Sequence, residues 1–315
     1  MKFTQLRDLI AIADHGGLRA AARALGISAP ALVKSINGLE AELHVPLLVR
    51  SSRGAALSDY GRSFLHRARL IEAEARKATE EIAELRGRFE GQITIGASPT
   101  PSIALLPNVL LQFRRKYPAV RINLVGGLYH THLASIRGGT MDLALGPLPD
   151  GGLDTAFRSE RLFYNDIVIA ARRGHPLGSA RSLAELAASE WVLTGPETQG
   201  PGAAIFDAFA RHGLEPPRRM IQCDITWSLQ TLLLHSDALC ALPRQLLEQE
   251  PLSTVLQHVK VREALPRYVV SLFYRSNAPL LPTAAHFATL LRREAGRVLR
   301  QHPELGVSSG IDGSG

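Results

Sequence analysis

Residues 59–89 contain no proline, and their apolar side chains follow one edge of a predicted helix. These side chains alternate spacings of four and three residues: Ile71, Ala75, Ala78, Ile82, Leu85 and Phe89. Such a heptad seam is typical of a long helix that pairs with the same helix of a second chain. A helix packed on its own globular domain is the alternative, but the small alanines and the regular seam favour the pair. In either case the helix divides the chain into a short N-terminal part and a long C-terminal part.

The 315 residues are enough for more than one hydrophobic core, so several domains are expected. A content of 45% hydrophobic and 21% charged residues is typical of a soluble folded protein and excludes a disordered chain. No apolar run reaches the roughly 18 to 20 residues that cross a bilayer, and charges interrupt the first residues where a signal peptide needs an apolar segment. We therefore expect a cytoplasmic protein without a membrane partner. Two cysteines, Cys223 and Cys240, are too few for a disulfide framework or a zinc cluster.

The net charge of +7 favours a polyanionic partner. Ten lysines and arginines but only five acidic residues lie within the first 70 positions. Most of the positive surplus therefore belongs to the N-terminal part.

Two short amphipathic helices are predicted at the N-terminus, separated by Gly16 and Gly17. Their apolar residues recur at i, i+3, i+4 and i+7: Leu6, Leu9, Ile10 and Ala13, then Leu18, Ala21, Ala22 and Leu25. Residues 26–28 form a turn in which Ser28 caps a third helix, and Pro30 is tolerated in the first turn of that helix. The third helix is expected to bury Leu32, Ile36, Leu39 and Leu43.

The outward face of the third helix carries residues of mixed chemistry: Ala29, Pro30, Val33, Lys34 and Asn37. A helix in the major groove of DNA presents such side chains to base edges and phosphates. For the helix pattern alone, a three-helix bundle used for packing or dimerisation is the alternative. Residues 45–49 and 55–57 then predict two short strands around a basic turn at residues 51–54. Arg50 and Arg53 flank this predicted wing, a position suited to phosphate or minor-groove contact.

The small residues, the turn and the wing of this segment fit one known pattern together. The residues that carry the match are 18–32, Ile36, Leu39, Glu40, Leu43, 45–47 and Arg50. They resemble the winged helix-turn-helix of the LysR-type transcriptional regulators. Family members often have Gln where this chain has Ala29 and Ser where it has Val33, so base specificity is not carried over at these positions. Val33 is instead suited to contact with a thymine methyl group.

This resemblance implies a DNA-reading head followed by a linker helix that forms the dimer contact. The predicted DNA-binding residues are Arg19, Arg23, Ser28, Ala29, Pro30, Val33, Lys34, Asn37, Arg50 and Arg53. A dimer would place two such heads on a pseudo-palindromic site, which raises the affinity of a small reading domain.

Beyond Gly91, short β-like runs alternate with helical ones, which predicts βαβ units around parallel sheets. The runs lie at residues 92–96, 105–116, 120–125, 131–137 and 142–145, and then at 183–186, 191–194, 203–212, 221–224 and 229–235. Residues 166–171 and 268–274 are predicted to be paired strands that carry the chain to a second lobe and back. This part resembles the LysR effector-binding domain, itself similar to periplasmic binding proteins, up to about residue 303.

The predicted fold is therefore an α/β effector domain of two Rossmann-like lobes, preceded by an all-α winged helix-turn-helix and a long linker helix. The predicted domains are residues 1–58 for DNA binding, 59–90 for the linker and dimerisation helix, 91–303 for effector binding and 304–315 as a disordered tail. Within the effector domain, lobe I comprises residues 91–162 and 268–303, and lobe II comprises residues 163–267.

Ligands of open α/β sheets bind beyond the carboxyl ends of the strands, where helix N-termini present free N–H groups. The residues predicted to line such a cleft are Ser98, Pro99, Thr100, Leu128, Tyr129, Thr194, Gln199, Gly202 and Thr226. These residues supply hydroxyls and helix N–H dipoles, and the pattern does not require a lysine or arginine beside them. Such donors favour a small anion, such as a carboxylate or a sulfonate. The alternative is that each Ser or Thr only caps its own helix.

The motifs of catalysis are incomplete in this chain. Residues 96–100 lack the closing glycine of a nucleophile elbow, and residues 195–202 lack the Lys and Ser/Thr of a phosphate-binding loop. His130 and His132 have no neighbouring acid or cysteine, so no metal is predicted. We expect no enzyme activity and no cofactor. The rival hypothesis is a ligand-binding or hydrolytic protein whose helical head only dimerises.

The sequence thus predicts a regulator that binds double-stranded promoter DNA and a small anionic effector, with aromatic compounds as candidates. A homo-oligomer is expected, dimeric through the linker helix and assembled further into a tetramer. Within the family the chain resembles the regulators of toluenesulfonate degradation, through residues 46–50, 66–71, 80–82, 85–88, 90–91 and 97–99. Because most of these lie outside the cleft, they indicate ancestry more than the identity of the effector.

Overall fold

The structure is a computed structural model that describes residues 1–51, 54–148, 152–195, 200–223 and 225–306. It contains a helical head with a hairpin, one long helix and an α/β domain built on a continuous sheet. This is the architecture that the sequence predicts.

The head consists of α1 (Phe3–Asp14), α2 (Leu18–Leu25), α3 (Ala29–Leu43) and the hairpin β1 (Leu48–Ser51) and β2 (Gly54–Leu57). Its core is formed by apolar residues from all three helices: Leu9, Ile12, Ala21, Ala22, Leu32, Ile36 and Leu39. Gly26 ends α2 in the left-handed conformation, and the Ser28 hydroxyl accepts a hydrogen bond from Ala31 N at 3.3 Å. The predicted turn and the predicted cap of the third helix are therefore confirmed.

The first strand of the hairpin begins at Leu48, so the prediction of a strand from residue 45 is wrong. Pro46 has no N–H to offer a ladder, and Leu47 N donates instead to Glu40 Oε1 at 2.6 Å. Leu47 O in turn accepts from Ser58 N at 2.9 Å. The chain before Leu48 is thus bonded to α3 and to the start of the next helix rather than to β2.

The long helix α4 (Asp59–Leu85) is capped by Ser58, whose hydroxyl accepts from Gly61 N at 2.9 Å. The sequence predicted that it continues to Phe89, which is wrong. Gly87 has a φ of +77°, and Arg88 N returns to Ala83 O at 2.9 Å, so the backbone closes a helix C-terminus before Phe89.

The heptad seam of α4 lies on the surface of the single chain. Ile82 is 59% exposed and Leu85 is 72% exposed, and the other members of the seam are exposed too: Ile71, Ala75, Ala78 and Phe89. The opposite edge of the same helix packs on the effector domain. Packing on the chain's own domain is therefore confirmed for one edge, and pairing of the exposed edge with a second helix stays a prediction.

Three contacts dock that opposite edge on the α/β domain. The buried carboxylate of Glu84 accepts from Thr283 N at 3.0 Å and from Thr283 Oγ1 at 2.7 Å. Lys77 Nζ lies 2.9 Å from Asp142 Oδ1, and Ala73 packs so closely on Gly139 that an ideal Cβ there would lie 2.9 Å from Ala73 Cβ. We call these three contacts the linker latch.

Lobe I begins with β3 (Gly91–Ala97), α5 (Pro99–Ala104), α6 (Leu106–Lys116), β4 (Val120–Gly126), α7 (Tyr129–Arg137) and β5 (Leu143–Pro147). The chain crosses to lobe II on β6 (Phe157–Arg172) and returns on β11 (Arg267–Arg275) to α13 (Pro282–Gln301). Lobe II contains α8 (Leu183–Leu186), β7 (Glu190–Leu193), α9 (Gly200–Arg211), β8 (Arg219–Gln222), α10 (Thr226–His235), β9 (Ala238–Pro243), α11 (Arg244–Leu247), α12 (Leu252–Val255) and β10 (Leu256–Val259).

The strand order is β4-β3-β5-β11-β6-β9-β7-β8, with β10 paired to β6. Strands β3, β4 and β5 are parallel, as are β7, β8 and β9, whereas β6 and β11 run antiparallel between the two sets. Two crossover strands are present as predicted, but the predicted pairing of residues 166–171 with 268–274 is wrong. Strand β11 pairs with residues 157–166 of β6, and residues 167–172 pair with β9 and β10, because the 16-residue strand β6 changes partner where it enters lobe II. Each lobe has its own aromatic core, formed around Phe113 and Phe287 in lobe I and around Trp191 and Phe209 in lobe II.

The predicted disordered tail is contradicted at its first residues. Pro303–Leu305 form a 3-10 turn in which Leu305 is buried against the core of lobe I. Residues 307–315 of the predicted tail lie outside the described residues. The burial of one leucine explains the difference, because it stabilises the turn that follows α13.

The close approach of Gly61 to the hairpin gives a test of the head's packing. An ideal Cβ at Gly61 would lie 2.1 Å from Leu47 O, a backbone atom that cannot swing away. Gly61→Ala is expected to lower the free energy of unfolding by about 1–3 kcal/mol, the usual cost of overpacking, although alanine favours helix. Gly38→Ala in α3 is the matched control, because its Cβ would meet only Gln5 Nε2, at 3.2 Å. Urea unfolding of both variants checks this, and equal midpoints would contradict the packing argument.

Candidate functional site

The third helix of the head has an exposed face and a buried face. Pro30, Val33, Lys34 and Asn37 are exposed, as the sequence predicts. Ala29 is only half-buried and packs against the core of the head. The exposed face therefore carries one cation, one amide and one apolar side chain at adjacent helical positions, which are the groups that read phosphates, adenine and thymine methyls.

Helix α2 adds positive charge beside this face. Arg19 and Arg23 are exposed, and within the described part of the chain neither they nor Lys34 takes part in an ion pair. Ser28 is also exposed at the start of α3, although its hydroxyl is used by the cap. Three cations without acidic partners give this side of the head a field that attracts an anion.

The hairpin places Arg50 opposite Ala55 in the strand register. The side chain of Arg50, and all of Arg53, lie outside what the structure describes. The contacts that anchor this hairpin were not predicted from the sequence. Glu40 receives Leu47 N and Leu48 N at 2.6 and 2.9 Å, and Ser58 Oγ donates to Pro46 O at 2.6 Å. Glu40 belongs to the family-like pattern, and that membership was the signal that could have identified it.

The predicted effector cleft corresponds to the place where the carboxyl ends of two sets of parallel strands approach each other. Pro147, at the end of β5, pairs with Val270 near the start of β11. Pro243, at the end of β9, pairs with Ile167 where β6 enters lobe II. In both sets, the carboxyl ends of the strands therefore lie near the boundary between the lobes, and the loops that follow one set face the loops that follow the other.

Ser98 follows β3 at this edge and is only 3% exposed. Its N–H donates to Leu145 O at 2.9 Å, but its hydroxyl makes no cap bond to α5. The oxygen lies beside Gly146 at the end of β5, where an ideal Cβ would be 3.2 Å away. The capping alternative is thus excluded for Ser98, and its hydroxyl is free to bind another group. Pro99, the next residue, is exposed.

Thr100 has a different environment from the one expected for an effector contact. It is buried, and its hydroxyl receives Asn165 Nδ2 at 2.8 Å and lies 3.2 Å from the Tyr268 hydroxyl. Burial raises the pKa of Tyr268 to about 12, so this phenol stays protonated. Sequence reasoning missed Asn165 and Tyr268, because nothing in the local pattern links either residue to Thr100.

In lobe II the structure brings together Thr194 and Gly202. Gly202 N donates to Thr194 O at 3.1 Å, and a Cβ at Gly202 would lie only 3.0 Å from that oxygen. Helix α9 begins at Gly200, earlier than the predicted residue 203. Gln199, predicted between them, lies outside the described residues, as does the side chain of Thr226 at the start of α10.

Leu128 and Tyr129 begin α7 after β4 and are half-buried. Tyr129 packs against a small core of lobe I formed by Ile136, Met141, Ala144, Phe157 and Phe273.

The histidine pair separates into one exposed and one buried ring. His130 is exposed, while His132 is buried between α7 and the strands beside Gly96 and Gly127, and burial lowers its pKa. Neither ring nitrogen of His132 has a partner among the described residues. Within the same residues no group of side chains has the composition of a metal site, and no helix is long and apolar enough to span a membrane.

Two family models match the chain. The model described as a bacterial regulatory helix-turn-helix protein of the lysR family matches residues 3–62, and the LysR substrate binding domain matches residues 86–296.

Related transcriptional regulators align with most of the chain. The HTH-type transcriptional regulator GbpR of Azospirillum brasilense is 26% identical over 97% of this chain and 90% of its own length. The SDS degradation transcriptional activation protein of a Pseudomonas species is 29% identical over 93% and 96%. The regulator BudR of Raoultella terrigena is 32% identical over 73% and 80%.

Solved structures share the fold. CbnR, a LysR family transcriptional regulator, superposes with a TM-score of 0.69 at 24% identity, covering 94% of this chain and 99% of its own. A full-length OxyR variant from Pseudomonas aeruginosa gives a TM-score of 0.64 at 19% identity, covering 94% of each. The two family models overturn the rival hypothesis of a ligand-binding or hydrolytic protein whose helical head only dimerises. The chain belongs to the LysR family of DNA-binding transcriptional regulators, with a helix-turn-helix head and a substrate-binding domain, and it is a regulator rather than an enzyme.

Proposed function

We propose that the exposed face of α3 reads the major groove of promoter DNA, and that a small organic anion bound between the lobes controls this contact. The observation that carries the proposal is that two sets of polar groups are not used by an ion pair or a helix cap within the described residues. One is the unpaired cations and the amide on α2 and α3; the other is the buried Ser98 hydroxyl, which caps no helix. A regulator of this kind works in the cytoplasm, where its DNA is.

The residues of the head divide by chemistry. Arg19, Arg23 and Lys34 supply phosphate contacts, which set affinity without sequence preference. Asn37 and Val33 are suited to base edges, through an adenine and a thymine methyl respectively. Arg50 and Arg53 in the wing add contacts to phosphate or the minor groove. CbnR, which this chain resembles in fold, has been solved as a full-length complex with its target DNA.

The anionic character of the effector is supported by the donors of the cleft. Ser98 offers a hydroxyl, and Thr194 lies at the opposite strand ends, where helix α9 begins; the Gly202 N–H is itself donated to Thr194 O. Hydroxyl and N–H donors bind carboxylate and sulfur oxyanions through charge-assisted hydrogen bonds. One relative is named for the degradation of SDS, an alkyl sulfate, and such a name fits the resemblance to regulators of toluenesulfonate degradation. An aromatic or alkyl group on the anion would fill the apolar remainder of the cleft.

The exposed seam of α4 is proposed as the contact with a second copy of the chain. A regular apolar row on a charged helix is stable in water only when another row covers it. The continuity of the row from Ile71 to Leu85, while the opposite edge is docked on lobe I, fits a pair of linker helices. A tetramer then requires a further contact between effector domains.

The proposal for α3 is tested with Lys34→Ala. The variant is expected to weaken binding to operator and to unrelated duplex alike, and to reduce the slope of log affinity against log salt by about 0.9, as for one lost phosphate contact. Fluorescence anisotropy with the intergenic DNA beside its own gene measures both. Lys260→Ala, which removes an exposed lysine from lobe II, is the control. Unchanged affinity for Lys34→Ala, or an equal loss in the control, removes Lys34 from the interface.

The seam is tested with Ile82→Glu. Each chain would place a charge where an apolar side chain worth about 1.5–3 kcal/mol is buried, so self-association should weaken by about two orders of magnitude or more. Analytical ultracentrifugation measures the dimer, and Glu81→Ala, on the adjacent exposed position, is the control. A wild-type chain that stays monomeric at micromolar concentration would refute the seam contact.

The effector class is tested by gel shift with matched anions and neutral analogues. Benzoate, 4-toluenesulfonate and octyl sulfate are compared with benzamide, 4-toluenesulfonamide and octanol. We expect an anion to change the operator complex and its neutral analogue not to. Ser98→Ala should need about tenfold more of that anion, since it loses one charge-assisted hydrogen bond, while binding DNA normally.

Ser102→Ala serves as the matched control, because its hydroxyl already donates to Ser98 O at 2.8 Å. Loss of DNA binding in Ser98→Ala with normal anion affinity would place Ser98 outside the effector site. A response to the neutral analogues would refute the anionic class.

A further inference from the structure

We propose that Thr100, Asn165 and Tyr268 form a hydrogen-bonded triad that couples occupation of the cleft to the angle between the lobes, with Asn165 as the positioning residue. The inference rests on the proposed effector site beside Ser98. It assigns to two buried polar residues and one half-buried tyrosine the step between binding and domain movement.

The triad joins three separate segments of the chain. Asn165 Nδ2 donates to Thr100 Oγ1 at 2.8 Å and to the Tyr268 hydroxyl at 2.6 Å, and the two hydroxyls lie 3.2 Å apart. Thr100 lies on α5, Asn165 on β6 and Tyr268 on β11. Asn165 is fully buried, so these bonds have no water to replace them if one is lost.

The position of the triad is the point where the sheet passes from one lobe to the other. Asn165 and Tyr268 face each other in the register of β6 and β11. The next register pair, Asp166 with Arg267, is the last between these strands, and from Ile167 onward β6 pairs with β9 of lobe II. A change of angle between the lobes must therefore bend the backbone within one or two residues of Asn165.

The third member connects this hinge to the cleft. Thr100 is two residues beyond Ser98, on the same short helix α5. Ile103, on the last turn of that helix, packs against a core of lobe II formed by residues such as Val168, Leu229 and Leu246. Helix α5 thus belongs to lobe I by sequence and touches lobe II by packing. A ligand that draws Ser98 toward itself moves Thr100, and Thr100 is bonded to both crossover strands.

Two buried amides at this boundary are incompletely bonded. Within the described part of the chain, Asn165 Oδ1 has no hydrogen-bond partner, and neither does either end of the Gln245 amide on α11. Helix α11 packs against both α5 and β6. An unpaired buried acceptor is unfavourable, so an arrangement of the lobes that supplies a donor would be stabilised relative to this one.

Tyr268, like helix α5, contacts both lobes. Its ring packs against the core of lobe I and against that of lobe II. Beside it, Asp166 binds Arg267 Nε at 2.6 Å and Arg244 Nε at 3.3 Å, so charged contacts also cross the boundary. Removal of the Tyr268 hydroxyl alone would leave the ring packing and these ion pairs in place.

The first experiment uses the full chain without any added compound. Tyr268→Phe, Thr100→Val and Asn165→Leu each remove one member of the triad with little change in volume. Amide hydrogen exchange should rise by about tenfold, as for one ordinary net hydrogen bond, in residues 163–169, 266–270 and α5, and not in the cores of the lobes. Tyr274→Phe is the matched control on the same strand, because its hydroxyl contacts Glu160, at 3.1 Å, away from the hinge.

A uniform rise of exchange through both lobes, or no rise near the hinge, would overturn the triad as a hinge element. Either result would mean that these bonds only add to general stability. Urea unfolding of the same variants provides the global reference, so a variant that fails to fold is recognised and the other two decide the test.

The second experiment adds 4-toluenesulfonate as the probe. Tyr268→Phe should retain its affinity for the probe within about threefold in calorimetry, while the probe changes its operator complex at least tenfold less than it changes that of the wild type. Equal responses of Tyr268→Phe and the wild type would overturn the coupling. If the wild type itself ignores the probe while hinge exchange rises as expected, the effector class proposed above fails and the hinge role of the triad stands.

Discussion

The fold of the effector domain depends on the antiparallel pairing of β6 and β11. Strand β6 pairs with β11 in lobe I and with β9 and β10 in lobe II, so one strand carries the hydrogen-bond ladders of both lobes. Backbone ladders resist shear and stretching, but the point where the partner changes has fewer bonds that oppose bending. The lobes are therefore held at a fixed distance and register, and the freedom that remains is concentrated at residues 166 and 167.

The linker latch determines which part of the molecule moves with the head. Glu84 accepts hydrogen bonds from Thr283 in the first turn of α13, and Lys77 forms an ion pair with Asp142. The other carboxylate oxygen of Asp142 accepts a hydrogen bond from Thr94 N at 2.8 Å. These contacts are partly or wholly buried, and they bind α4 to lobe I at both ends of its docked segment. A rotation of lobe I would thus be passed directly to the linker helix.

The sequence could predict those parts of the structure that depend on contacts between residues close together in the chain, and not those that depend on distant residues. Leu32, Ile36 and Leu39 show a periodicity that is local, so helix α3 and its exposed face could be predicted from it. The start of β1 was misplaced because the Glu40 side chain, seven residues away, takes up the N–H of Leu47. Thr100 resembled an effector contact by its place after a strand, but its partners Asn165 and Tyr268 are 65 and 168 positions away in the chain. Polar side chains that bond across such distances leave no periodic signal.

The latch at Glu84 has a mechanical consequence for a helix of this length. The 27 residues of α4 span about 40 Å at a rise of about 1.5 Å per residue. A rotation of about 5° at the latched end would therefore displace the head by about 3.5 Å, close to the spacing of one base-pair step along DNA. The buried contacts of Glu84 with Thr283 fix the latched end of this lever to α13. A small rotation of lobe I would therefore be amplified into a displacement of the head comparable with one base-pair step.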